Sequence, residues 1–60
     1  MNDKQLTEAI VYHRGQMDYH LTNADRARTV GSLTSAERSL ADAAQHATIF
    51  TALTLVAGGK

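Results

Sequence analysis

The sequence predicts an all-α fold: an antiparallel helical hairpin of two long helices that dimerises into a four-helix bundle. Three observations predict it. There is no Pro, and Gly stands only at 15, 31, 58 and 59, so few positions force a helix to stop. Apolar residues recur at alternating spacings of three and four, which is the helical period. A single short interruption, TVGSLT at 29 to 34, separates two such runs.

The first helix is expected over about residues 3 to 29, with Asn2 or Asp3 capping it and placing a polar oxygen near the free N–H groups of the first turn. From Gln5 the heptads read QLTEAIV, YHRGQMD, YHLTNAD and RARTVGS. Their second and sixth columns hold Leu6, His13, His20, Ala27 and Ile10, Met17, Ala24, Gly31. These lie on one stripe of a helix, apolar except for the two histidines.

The break over about 30 to 34 combines β-branched and hydroxyl residues with Gly31, which can take positive φ as a C-terminal cap. Thr34 with Glu37 three places on has the pattern of a capping box, so the second helix is expected over about 35 to 57, ended by Gly58 and Gly59. Its heptads are LTSAERS, LADAAQH, ATIFTAL and TLVAGGK. The first and fourth columns, Leu33, Leu40, Ala47, Thr54 and Ala36, Ala43, Phe50, Ala57, predict a seam of mainly small residues that lets two helices approach closely.

Beyond Ala47 a second stripe, Ile49, Leu53 and Val56, runs beside the first, and one neighbouring helix cannot cover both. A lone hairpin would leave that stripe in water at about 25 cal/mol per Å² of unburied apolar surface. Two hairpins packed as a bundle remove the exposure. The expected oligomer interface is therefore Ile49, Phe50, Leu53, Val56, Ile10 and Met17 in a homodimer, with a tetramer or a hetero-complex as alternatives.

Length points the same way. At 60 residues the chain is at the lower edge of what can bury enough apolar surface to fold alone. It has no Cys for disulfides or thiolate zinc sites, which leaves association with another chain as the supplement. Six basic and six acidic side chains cancel, so no overall field draws the chain onto nucleic acid or an acidic membrane. The start MNDKQLTEAIVYH lacks the apolar run of a secretory signal, and ATIFTALTLVA at 47 to 57 falls short of the ~20 apolar residues of a membrane span. A cytoplasmic location is expected. Abundant Ala, Thr and Arg in a compact length fit a small open reading frame from a GC-rich bacterium or its phage.

Residues 12 to 25, YHRGQMD YHLTNAD, repeat Tyr, His and Asp at the same heptad places. A turn centred near residue 32 sets His20 opposite Gln45 and His46, and His13 opposite Ala52 and Leu53. A dimer core could then collect His13, His20, Met17 and His46. A metal site from the three histidines, or a haem site from His13, Met17 and His20, is chemically conceivable there. Yet His13 and His20 are seven apart, about 10.5 Å along the axis, whereas helical ligand spacings are three or four. The favoured reading is neutral imidazoles packed at the core edge and hydrogen-bonded across the interface, so no cofactor is expected. A pH-sensitive interface is the third reading, because buried imidazoles must stay neutral to be tolerated.

Tyr12 and Tyr19 are expected to lie over the hairpin edge with their hydroxyls in water. Arg14, Arg26, Arg28 and Arg38 gather in the loop-proximal half with Asp18, Asp25, Glu37 and Asp42, a self-compensated face in which Asp42 would pair with Arg38. Catalysis has no footing: Ser32, Ser35 and Ser39 sit away from the expected mid-helix histidines, and there is no nucleophile turn or phosphate loop. The expected function is a small non-enzymatic interaction module that self-associates through helix packing, or engages another protein through a helical face. The alternative is a metal- or haem-binding bundle using the core histidines.

Overall fold

The protein, represented by a computed structural model, is described over residues 2–59, which form α1 (Asp3–Thr29) and α2 (Leu33–Gly58) packed as a hairpin. Asn2 caps α1 with a full capping box: its Oδ1 accepts from Gln5 N–H at 2.8 Å, and its own N–H donates to Gln5 Oε1 at 3.1 Å. Two N–H groups that lack helical partners are thereby satisfied.

The turn is a Schellman closure. Gly31 takes φ 79°, Ser32 N–H donates to Ala27 C=O at 2.9 Å, and Gly31 N–H donates to Arg28 C=O at 3.1 Å. Closing this way, the chain re-enters a helix at once. The Ala36 N–H reaches Ser32 C=O at 3.0 Å, so α2 starts at Leu33, two residues before the expected 35. Thr34 consequently lies inside the first turn and Glu37 just beyond it. The predicted capping box there does not form, and Ser32 at the N-cap makes no side-chain cap bond.

In α1, Leu6, Ile10, His13, Met17, His20, Ala24 and Ala27 are buried or half-buried, while Gly31 stands exposed in the turn. In α2 the seam differs from expectation. Ala36 and Ala43 are buried, and Ser39, His46, Ala47, Phe50 and Leu53 are half-buried; Leu33 and Leu40, from the expected first column, are exposed at 66% and 52%. The seam therefore follows the fourth and seventh heptad columns. Rotated this way, α2 presents Ala methyls to Ala24 and its neighbours, so the backbones can approach closely while the larger Leu33 and Leu40 stay outside.

Threonines within the helices are accommodated by bonding back to the preceding turn. Thr22, Thr29, Thr48 and Thr54 Oγ1 donate to the carbonyls of Asp18, Asp25, Ala44 and Phe50, at 2.6 to 3.0 Å. Among the described residues the buried core is Leu6, Ala24, Ala36 and Ala43. With extents of 44 × 14 × 13 Å, the hairpin is a single layer of two helices with no second layer to close over it. No helix of the described residues is long and apolar enough to cross a membrane.

Candidate functional site

Two features stand out: a stack of three imidazoles on one flank of the seam, and an apolar track along the other.

The turn centres on Gly31 rather than residue 32, which shifts the helices relative to the expected register. His13 consequently meets His46 instead of Ala52 and Leu53. Their Nδ1 atoms are 2.8 Å apart, with ring centroids at 5.0 Å and planes tilted by 37°. At this separation one Nδ1 carries a proton and donates while the other accepts. His20 stacks on the same His46 ring, with centroids 5.6 Å apart and planes 11° from parallel. Asp42 closes the row, its Oδ2 3.9 Å from His20 Nδ1.

This placement corrects another expectation. Asp42 is half-buried and turned toward His20, and among the described residues it makes no pair with Arg38. The ion pair in the arginine-rich half is Arg28 with Asp25, at 2.6 Å; Arg14, Arg26 and Arg38 are exposed.

Tyr12 and Tyr19 border the stack. Tyr12 stands edge-on to His13 at 5.0 Å and to His46 at 6.2 Å, and Tyr19 edge-on to His20 at 5.3 Å. Both tyrosines remain exposed.

The structure therefore brings His13, His20 and His46 together within one chain. Met17 lines an apolar depression with Leu21 and Leu40. Among the described residues no three His, Asp or Glu converge as metal ligands, and the Nδ1 atoms of His13 and His46 are directed at each other.

On the other flank, three shallow depressions join end to end. The first is lined by Leu21, Ala24, Arg28, Ala36 and Leu40 among others, the second by Met17, Leu21, Leu40, Ala43, Ala44 and Ala47. Ala47 passes the track to the third, with Thr48, Thr51, Ala52 and Leu55. Leu21, Leu40 and Leu55 are exposed beside small Ala and Thr residues.

Of the residues expected at an oligomer interface, Ile10, Met17, Phe50 and Leu53 are half-buried, and Ile49 and Val56 are exposed. By helical spacing Ile49 and Val56 share the flank of His46 and Asp42. Sequence reasoning missed the Leu21–Leu40–Leu55 track because it placed Leu40 inside the hairpin seam. The signal was present in the run Leu33, Leu40, Ala44, Ala47, Thr51, Leu55, spaced by three, four and seven. Comparison with known proteins gives no match to any family pattern, to any curated protein or to any solved structure.

Proposed function

We propose that the chain is a small non-enzymatic interaction module whose partner is a second copy of itself, joined through the Leu21–Leu40–Leu55 face into a four-helix bundle. One observation carries this reading: among the described residues the hairpin's own buried core is Leu6 and three alanines, while its larger aliphatic side chains on this face remain in water. Burying an Ala methyl contributes roughly 0.8 kcal/mol, against about 1.5–3 kcal/mol for a Leu side chain. The hairpin alone therefore lacks the apolar burial that a 60-residue domain needs. A second hairpin laid on the track supplies it. The track is suited to this occupant, for it offers both projecting leucines and Ala- and Thr-lined hollows, and a two-fold contact requires one face to carry both. The other flank is the less favourable seam because His46, Asp42 and two tyrosines would need polar partners across it.

Sedimentation equilibrium of the wild type and Leu40→Glu tests the proposal. Leu40 is half in solvent already, so a carboxylate there is tolerated by a single hairpin and rejected by a packed bundle. The expected result is a wild-type dimer and a variant that is monomeric with reduced helicity. A wild type that stays monomeric and melts cooperatively from micromolar to millimolar concentration would overturn it; a trimer or tetramer would overturn the two-copy bundle.

A further inference from the structure

We infer that the second copy lies antiparallel to the first, its turn at the far end of the rod, with the two-fold axis crossing α2 between Ala44 and Ala47. The inference rests on association through the Leu21–Leu40–Leu55 face and adds how that face meets itself.

A two-fold contact through this face can be made in two ways. With the axis along the rod, both turns stand at one end, and each level of α2 meets the same level of the other copy's α1. With the axis across the rod, the turns stand at opposite ends and α2 lies on α2.

Along α2, Leu33, Leu40, Ala44, Ala47, Thr51 and Leu55 follow at spacings of seven, four, three, four and four, which keeps them on one face. Their sizes are arranged about a centre. Ala44 and Ala47 flank it, Leu40 and Thr51 are equally far from it, and so are Ala36 and Leu55. An axis at that centre sets Ala44 on Ala47, Leu40 on Thr51 and Leu55 above Ala36. Leu40 of one copy then enters the hollow of Thr48, Thr51 and Ala52, and Leu55 the hollow of Leu21, Ala24 and Ala36. In the single hairpin these two leucines are 52% and 72% exposed, so both gain cover. Methyl groups at the axis let the backbones come close enough for it.

The lengthwise axis leaves the hollows unfilled. Leu21 and Leu40 line the same depressions, so leucine would meet leucine at equal height and hold the layers apart. His13 meets His46, so Leu55, nine residues beyond His46, stands level with Lys4, nine before His13. It would rest against the start of α1, where Lys4 and Thr7 are exposed. On α1 the crosswise axis passes near Arg14, where two like charges approach. Asp18, exposed one turn on, answers each of them across the contact.

The chain has no Cys, so one introduced thiol carries one spin label. Ser32→Cys is suitable because Ser32 is exposed in the turn and its side chain makes no cap bond. Sedimentation of the labelled protein sets its mass, and pulsed dipolar electron paramagnetic resonance then measures the distance between the two turns. The antiparallel pair gives roughly 40 Å, at ~1.5 Å per residue from position 32 to the axis and as far again beyond it. Turns at one end give about 10–20 Å, one helix-layer spacing plus the label arms. A dimer with the short distance would overturn the orientation and leave association standing. A monomer at every concentration would overturn both. Should Ser32→Cys fail to fold, Gly58→Cys at the open end, where a Cβ meets open space, makes the same measurement with the same two outcomes.

Discussion

Leu21 of α1 and Leu40 of α2 line the same two depressions, so the apolar flank of the hairpin is built jointly by both helices. A surface shared between helices exists only while the hairpin is closed. Association through it therefore stabilises the closed form by mass action, and Tm should rise with protein concentration.

The two flanks can be told apart by one substitution on each. Ile49 is exposed on the imidazole flank, at 41%. Ile49→Gln should leave the sedimentation profile of the wild type unchanged and shift stability by no more than about 0.5 kcal/mol, as expected for a surface site. Dissociation of the Ile49→Gln dimer, with Leu40→Glu still dimeric, would move the seam to the tyrosine side.

Gly31 sits at φ 79° with open space where a Cβ would project, so the cost of a side chain there is conformational rather than steric. Gly31→Ala should lose about 1–2 kcal/mol, the penalty of left-handed backbone for an L-residue, with Tm lower by roughly 4–8 °C per kcal/mol. Thermal or urea unfolding measures it. An unchanged midpoint would mean that the turn can close by another route.

The two capping sequences give opposite expectations. Asn2→Ala removes the acceptor for Gln5 N–H and should cost about 1 kcal/mol, with faster hydrogen exchange at Gln5. Thr34→Ala removes no cap bond, since α2 already begins at Leu33, and should stay within about 0.5 kcal/mol of the wild type. A larger loss at Thr34 than at Asn2 would restore the later start of the second helix.

These contrasts show what the sequence made legible. Two helices and a break over about 30 to 34 could be read because the lack of Pro and a sustained three–four spacing leave few alternatives. The inward face of α1 was equally clear, since its apolar residues fall on one stripe. The inward face of α2 was not. Alanines at 36, 41, 43, 44 and 47 surround that helix, and a methyl group gives little angular preference. Leu33 and Leu40 then drew the assignment one column away from the true seam.

The candidate site was legible by composition and not by register. His13, His20 and His46 could be named, but which rings meet depends on the turn centre to within one residue. The turn was displaced by an N-terminal pattern that went unused: Thr34-x-x-Glu37 resembles a cap, yet a Schellman closure two residues earlier leaves no room for one. Asp42 illustrates the same limit. Arg38 four residues before it satisfies helical spacing, and only the rotation of α2 decides that the carboxylate faces His20.

The short turn has a practical side. Because α1 and α2 are of nearly equal length and run antiparallel, residues 2 and 59 emerge at the same end of the rod, far from Gly31. A spectroscopic label or affinity handle attached there stands clear of the turn. Two copies could also be joined head to tail by a flexible linker long enough to run the length of the rod, giving a single polypeptide in which association no longer depends on dilution.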